Sequence, residues 1–185
     1  MKRALLFVLL LAACQEEAAQ NLDPLPLTPE TVGHFCQMNL LEHEGPKGQV
    51  HLEGLPAMPL FFSQVSDLVV YLRLPEQSGT VLAIYVSDMG AEGATWAEPG
   101  IANWIDARTA HYVVGAAITG GMGAPEVVPF ADPAEAQAFA AARGGMVMAL
   151  DEIPDSAVTA PISAAAGGAD DYARRLKALS DKPEG

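Results

Sequence analysis

Residues 132–145, DPAEAQAFAAARGG, decide the fold of this chain because they predict a helix with a defined start and end. Asp132 suits the N-cap, where its side-chain oxygen can accept a hydrogen bond from a backbone N–H of the first turn. Pro133 suits the first helical position, since its missing N–H would be unpaired there in any residue. Glu135 lies near the N-terminal end, where the helix dipole favours an acid. Gly144-Gly145 then ends the helix.

Strand candidates lie on both sides of this helix. Tyr112–Ala117 and Glu126–Val128 precede it, with a glycine-rich loop between them, and Met146–Leu150 follows it. The second half of the chain therefore predicts the order strand, strand, helix, strand.

The first half repeats this order. Phe35–Leu40 and Gln49–Leu52 are predicted as strands, and Val81–Val86 as a third. Between the second and the third of these strands, Phe62–Leu74 has apolar residues at helical spacing, which predicts a helix, and the proline at position 75 ends that helix. We therefore predict an α+β fold of two packed ββαβ modules, which occupy residues 31–90 and 91–155.

The first residues predict export and a lipid anchor. Lys2 and Arg3 precede the apolar run Ala4–Ala12, which is too short to cross a bilayer. Small residues then lead to Cys14, an arrangement typical of a bacterial lipoprotein signal over residues 1–13. Cys14 would carry the lipid in the periplasm, and Gln15 in place of an aspartate favours the outer membrane. A plain signal peptide and a buried N-terminal helix are the alternatives.

Two terminal segments carry no core pattern. Residues 14–30 hold three prolines and several acids, and we predict a lipid anchor followed by a flexible tether. Residues 156–185 are predicted to be loose, with a short helix at Asp170–Leu179, where acids come first and bases last.

The charge of the mature chain excludes some partners. Cleavage before Cys14 removes two of the ten basic residues, so 8 basic residues face 23 acidic ones and the net charge becomes −15. Such a balance argues against nucleic acid and against anionic lipid surfaces. This negative charge favours solubility, and it favours a partner whose docking surface is basic.

Cys36 and Met38 are the best candidates for chemistry. In a strand, residues i and i+2 point to the same face, so both sulfurs could reach one ion. Thiolate and thioether form the soft ligand pair that selects Cu(I). With Cys14 lipidated, Cys36 has no disulfide partner, and a metal would protect its thiol. The alternative is that both residues only fill the core.

Other sulfur and imidazole side chains could complete such a site. Met122 stands between glycines in a loop, a poor place for a core side chain, and could close over a metal. His43 follows the first predicted strand, and an imidazole is a natural third ligand. His34 shares the predicted strand face of Cys36 but is better explained as a surface residue, and His51 and His111 as structural residues.

Several familiar chemistries are missing from the sequence. The chain has two cysteines and no Cys-x-x-Cys pair, which excludes a zinc ribbon and a dithiol redox site. It has no Gly-x-Ser-x-Gly elbow, and the glycines at 120–123 lack the nucleotide-binding spacing. These residues favour a lipid-anchored periplasmic binder of a soft monovalent metal.

Residues 34–49, HFCQMNLLEHEGPKGQ, resemble the NosL family of nitrous oxide reductase accessory lipoproteins. The family pattern has Cys-x-Met-x-Leu, a nearby His, and then Gly-Pro-Lys-Gly-Gln. Tyr112–Gly115, Met122-Gly123 with the following Val127–Phe130, and Gly144–Asp151 agree as well, so the resemblance covers essentially the whole mature chain. It departs at Gln37, where the family usually has glycine.

This resemblance implies a function. It implies binding of one Cu(I) per monomer, without enzymatic activity, and delivery of copper for the copper-sulfide centre of nitrous oxide reductase. It implies as partners a periplasmic protein attached to an ABC transporter and the reductase itself. It also implies a fold similar to the organomercurial lyase family. The ligand roles carry over to Cys36 and Met38, and then to His43 or Met122 as completing ligands.

Two other functions remain open at the level of the sequence. The lyase-like architecture with one reactive cysteine would also suit an enzyme acting on organometals or thiols. A scaffold lipoprotein without a metal would suit the anchor and the acidic surface.

Overall fold

The computed structural model describes residues 19–159, which form two antiparallel sheets and three helices. The strands are β1 (Gly48–Leu52), β2 (Leu60–Phe62), β3 (Val81–Val86), β4 (Ile105–Asp106), β5 (His111–Val114), β6 (Val128–Phe130) and β7 (Met146–Met148). The helices are α1 (Val65–Arg73), α2 (Pro133–Arg143) and α3 (Asp155–Val158), with short 3₁₀ turns at Leu40–Glu42 and Leu150–Glu152. The predicted α+β class is confirmed. None of the described helices combines the length and the apolar character that a membrane crossing requires.

The two sheets share one topology at their centres. The first has the order β2-β1-β3-β4 and the second β6-β5-β7. In the first sheet β1 is flanked by β2 and by β3, the strand that follows helix α1. In the second sheet β5 is flanked in the same way by β6 and by β7, the strand that follows helix α2. The order strand, strand, helix, strand therefore occurs twice, as predicted, although in the first half its two leading strands are β1 and β2 rather than the predicted Phe35–Leu40 and Gln49–Leu52. The added edge strand β4 pairs with β3, in a register that joins Tyr85 to Asp106; the sequence had not indicated it.

The helix ends follow the local chemistry. At α2, the Asp132 carboxylate accepts a hydrogen bond from the Ala134 backbone N–H at 2.8 Å, and Gly144 at φ 78° ends the helix, as predicted. Helix α1 begins at Val65 rather than at Phe62. The reason is that Phe62, the first residue of the predicted helix, pairs with Gly48 of β1 as the last residue of strand β2.

One core joins both sheets. Val50 and Leu52 on β1 pack with Leu68 on α1, and Tyr112 and Val114 on β5 belong to the same buried cluster. Successive side chains of a strand point to opposite faces, so the intervening residue of β5 packs elsewhere. Val113 joins a smaller cluster with Val128, Phe130 and the α2 residue Ala136.

The outer face of the first sheet is covered by the chain that leads into it. Gln49 is buried there, donates to the Leu25 carbonyl at 3.0 Å and accepts from the Leu25 N–H at 3.0 Å. Tyr85 donates to the Leu22 carbonyl at 3.0 Å, and Leu27 is buried. This differs from the free tether expected up to residue 30, because the polar side chains of the sheet bind the backbone of that segment. Cys14, the signal segment and the predicted helix Asp170–Leu179 lie outside the described residues.

Candidate metal centre

Cys36 lies in a tight turn and not in a strand, so the predicted strand Phe35–Leu40 is wrong. The turn spans residues 34–36, is closed by an isolated bridge between Val32 and Asn39, and is followed by the 3₁₀ turn that begins at Leu40. The His34 N–H donates to the Phe61 carbonyl at 2.7 Å, which fixes the turn to β2. The predicted strand does not form, because among residues 19–159 no strand pairs with residues 35–38.

Gln37 makes the reversal possible. Its φ of 56° lies in the left-handed region, which glycine adopts far more readily than other residues. The Gln37 N–H donates to the Gly33 carbonyl at 2.9 Å, and the side-chain amide donates to the His34 carbonyl at 2.7 Å and to that of Gly33 at 3.2 Å. The side chain thus stabilises a backbone conformation that is unfavourable for it.

The Cys36 thiol is partly exposed and packs over a glycine. A Cβ atom at Gly33 would lie 2.5 Å from the Cys36 Sγ and 3.3 Å from a Leu40 methyl group, so only glycine leaves room for the sulfur. Met38 is 41% exposed. The same-face argument for Cys36 and Met38 no longer applies, since the turn rather than a strand now sets the relation between them.

His34 has a packing role beside the turn. Its ring centroid lies 5.5 Å from that of Tyr71 and 5.8 Å from that of Phe62, both at edge-on angles, and Phe35 joins the same aromatic cluster. The cluster holds the turn against α1. The sequence predicts a surface residue at a strand end for His34, whereas the ring packs among aromatic side chains because residues 34–36 form a turn.

His43 lies at the end of the 3₁₀ turn and lines a cleft of about 330 Å³ with Leu40, Leu41 and Lys47. Its Nε2 is buried and has no hydrogen-bond partner in the described part of the chain. A buried imidazole nitrogen without a partner is costly and is available to a ligand.

The Met122 loop rests on the loop of His43. Met122 is 41% exposed, and its N–H donates to the buried Gln64 Oε1 at 2.9 Å. A Cβ atom at Gly121 would lie 2.7 Å from the Glu44 carbonyl oxygen and 3.0 Å from the His43 Cβ. The structure therefore brings the backbones of these two predicted site loops into close contact.

The described residues form no cluster of the common metal-binding side chains. Across residues 19–159, no three His, Cys, Asp or Glu side chains converge in a way that could hold a metal ion, and that donor set leaves methionine out of account. The assignment of Cys36, Met38, His43 and Met122 as metal ligands therefore stays a prediction. Of the other histidines, His51 is buried beside Gln49, 3.1 Å from its Oε1, and burial lowers the pKa of this imidazole.

Lys47 is a buried cation beneath the site, which the sequence had not singled out. Its ammonium donates to the Gly45 carbonyl at 2.6 Å and to the Glu44 carbonyl at 3.1 Å, so it holds the loop that follows His43. Burial lowers the pKa of Lys47 to about 8, against the opposing effect of the acidic groups of Glu126, Cys36 and Glu44. The Gly-Pro-Lys-Gly-Gln motif was the available signal for this residue.

Glu126 is the second buried charge that the sequence did not reveal. Its Oε1 accepts from the N–H groups of Ser66 at 3.0 Å and Val127 at 2.8 Å, whereas Oε2 is buried with no hydrogen-bond partner among residues 19–159. Burial raises the pKa of this carboxyl to about 7, although the two backbone hydrogen bonds lower it. Because it bonds the start of α1, Glu126 ties the end of the Met122 loop to that helix.

Comparison with known proteins gives one consistent result. The family model NosL matches residues 24–158 of the chain. A copper-binding lipoprotein NosL from Achromobacter cycloclastes is 55% identical over an alignment of 188 positions, gaps included, which covers 97% of each chain. A second protein of that name, from Stutzerimonas stutzeri, is 32% identical over 86% of this chain and 80% of its own.

A solved structure agrees with these relatives. The crystal structure of the copper chaperone NosL from Shewanella denitrificans superposes with a TM-score of 0.65 at 32% identity. The match covers 72% of this chain and 96% of that one. The resemblance noted in residues 34–49 therefore extends to sequence and fold along most of the described chain.

Proposed function

Because the chain belongs to the NosL family, we propose that it is a periplasmic, lipid-anchored Cu(I) chaperone that delivers copper for the copper-sulfide centre of nitrous oxide reductase. The observation that carries the proposal is the partly exposed Cys36 thiol on a turn within a Cys-x-Met motif. The relatives are named copper-binding lipoproteins, and the solved structure a copper chaperone.

The donor chemistry supports Cu(I) as the cargo. A thiolate and thioethers are soft ligands, and they prefer Cu(I) over hard divalent ions. Met38 and Met122 are both 41% exposed, although methionine usually fills cores. We propose one ion per monomer, with Cys36 and Met38 as the fixed ligands and Met122 or His43 as a completing ligand.

Partial exposure of the sulfur suits ligand exchange. If one side of the site is open, a partner can add a sulfur or nitrogen ligand to the ion. Both proteins then coordinate the ion in an intermediate, and the ion passes to the partner as the ligands of this chain dissociate. Cys36 loses a proton when it binds a metal, so loading depends on pH. We propose a carrier rather than an enzyme, since the relatives are named copper-binding lipoproteins and a copper chaperone.

We propose a docking surface around the same turn. Five large apolar side chains are 41–47% exposed on the turn, its flanks and the Met122 loop: Val32, Phe35, Met38, Leu41 and Met122. Lys47 is the only Lys or Arg between residues 19 and 64 and is buried, whereas Glu30, Glu42 and Glu44 are exposed. An apolar surface with an acidic margin fits a partner that presents apolar side chains ringed by Lys and Arg.

The proposed partner is a periplasmic protein attached to an ABC transporter in the maturation machinery of the reductase, with the reductase itself as a further acceptor. Leu41→Ser should weaken copper transfer to that protein without changing Cu(I) affinity. Leu74→Ser is the matched control, because Leu74 is 40% exposed at the far end of α1. Equal transfer by both variants would contradict this surface.

Competition with a Cu(I) chelator under anaerobic conditions tests the copper site. Cys36→Ser should abolish tight binding and leave the circular dichroism spectrum unchanged, and Met38→Ala should weaken binding. Met146→Ala is the matched control for Met38→Ala, since Met146 is 68% exposed on β7 of the second sheet. Unchanged affinity in Cys36→Ser would overturn the proposed function.

The sequence that precedes Cys14 supports the proposed lipid anchor at this cysteine. Cys14→Ser should release the protein from the membrane and abolish incorporation of labelled palmitate. Fractionation of the wild-type protein should place it in the outer membrane; recovery of a lipid-free wild-type protein would contradict the anchor.

A further inference from the structure

We infer that Gln64 is a positioning residue for copper binding, which sets the place of the Met122 thioether relative to the Cys36 turn. This inference rests on the proposed Cu(I) site. Its amide oxygen is a hard donor that suits Cu(I) poorly and already accepts from the Met122 N–H, and nothing in the sequence marks the residue. Its contacts in the fold give it this role.

Gln64 makes the hydrogen bond to Met122 within a buried setting. It is 2% exposed, and its Oε1 accepts from the Met122 N–H at 2.9 Å. A buried acceptor that would otherwise be unpaired holds its donor firmly, because breaking the bond leaves a polar group without water. The backbone of the residue that carries the thioether is thus fixed directly, rather than through its side chain.

The loop is shaped to reach Gln64. The Gly120 N–H donates to the Ala124 carbonyl at 2.8 Å and the Gly123 N–H to the Gly120 carbonyl at 2.9 Å, so Met122 lies at the tip of a tight turn. A Cβ atom at Gly120 would lie 2.5 Å from the Gln64 Oε1. Glycine at this position therefore allows the close approach that the hydrogen bond needs.

The same short segment also anchors the Cys36 turn. The His34 N–H, two residues before the cysteine, donates to the Phe61 carbonyl of β2 at 2.7 Å. Gln64 follows three residues after Phe61, as the N-cap residue of α1. One continuous stretch, residues 61–64, therefore bonds the backbones of both sulfur-bearing segments and determines the offset between them.

The effect on copper should be large for a residue that touches no metal. Loss of a side chain that orients a ligand typically weakens metal binding roughly 10- to 100-fold. Gln64→Ala should therefore weaken Cu(I) binding to the full mature chain about as much as Met122→Ala does. X-ray absorption of the Cu(I) form should report one sulfur neighbour fewer in both variants.

A double-mutant cycle separates positioning from general stability. If Gln64 acts through Met122, then Gln64→Ala has no further effect on Cu(I) affinity in a Met122→Ala background. Gln49→Ala is the matched control, because this glutamine is also buried and bonded to backbone, on the opposite face of the first sheet. It should lower the melting temperature and leave Cu(I) affinity unchanged.

A second variant reaches the same contact from the other side. Gly120→Ala should displace the Gln64 amide, weaken Cu(I) binding and, again, have no further effect in the Met122→Ala background. It keeps the inference testable where Gln64→Ala lowers the folded fraction. Unchanged affinity in Gln64→Ala or in Met122→Ala, or additive losses in the cycle, would overturn the inference. In those cases a loss of binding in Cys36→Ser would still leave the proposed function standing.

Discussion

Replacing Glu126 with glutamine should raise the free energy of unfolding above pH 7 and change it little near pH 5. The carboxyl group is fully buried, and burial raises its pKa to about 7 from a usual value of 4.5. Glutamine has the same shape and keeps an oxygen to accept from the N–H groups of Ser66 and Val127. It carries no charge at any pH, so the penalty of an ionised buried group disappears.

The sign follows from the proton balance. Between pH 4.5 and 7 the unfolded chain has released the proton of Glu126, while the folded chain still holds it. Stability is therefore fully present below pH 4.5 and is lost as the pH rises through 7. A rise from 4.5 to about 7 corresponds to ~3 kcal/mol, an order-of-magnitude figure for the loss in the wild-type protein.

Other titrating groups do not obscure this window. The pKa of Lys47, lowered from 10.5 to about 8, gives stability that rises between those two values, above the window of Glu126. Burial also lowers the pKa of His51 and raises the pKa of Asp67. Both are present in the wild-type protein and in the variant, so their own contributions largely cancel in the difference between the two curves. The charge interactions of Glu126 with Asp67 and Lys47 are part of that difference.

Urea unfolding of the mature chain, followed by circular dichroism at pH 5, 6, 7 and 7.5, measures that difference. Glu92→Gln is the control, because Glu92 is exposed and its variant should follow the wild-type profile. Curves for wild type and Glu126→Gln that stay parallel between pH 5 and 7.5 would refute a carboxyl group that is held protonated by burial.

Substitutions at three further positions test the local structure, each by thermal unfolding. Gln37→Ala should destabilise the protein by about 1 kcal/mol because it keeps the left-handed backbone but loses the side-chain hydrogen bonds. Gln37→Gly should be close to neutral, since relief of the backbone conformation offsets that loss; equal effects of the two would contradict this account. Gly48→Ala should cost roughly 1–3 kcal/mol, because its Cβ would lie 2.4 Å from a Leu68 methyl group, and a melting temperature equal to wild type would show that Leu68 moves freely. Asp132→Ala should cost ~1 kcal/mol through loss of the α2 N-cap, whereas Asp132→Asn should keep most of it; a similar loss in both would point away from capping.

The sequence predicted correctly the strands and helices that depend on neighbouring residues alone. Strand β3 has the predicted bounds, Val81–Val86, and α2 begins after Asp132 and ends before Gly144 as the capping residues indicated. These elements needed only a β-rich run or a pair of caps. Strand β4 was missed because it has two residues and exists only through its pairing with β3.

Candidate ligands could be proposed from the sequence, whereas the shape of the site could not. The sulfur residues and His43 could be chosen from their types and spacing. Lys47 and Glu126 could not be recognised as buried, since burial depends on segments that are distant in sequence, and a lone Lys or Glu is usually exposed. Gln64 has no sequence signal, because its role comes from a loop 58 residues away.

Gln37 changes how the Cys-x-Met spacing of this chain is understood. In a strand, the residue between two ligands is free to vary, because its side chain faces away from them. In the observed turn, the same residue must adopt φ 56°, which explains why glycine suits the NosL pattern at this position. Glutamine meets the same demand by bonding the carbonyls of Gly33 and His34 with its own side chain. The departure from the family pattern therefore preserves the reversal of the chain, and with it the seat of the Cys36 sulfur over Gly33.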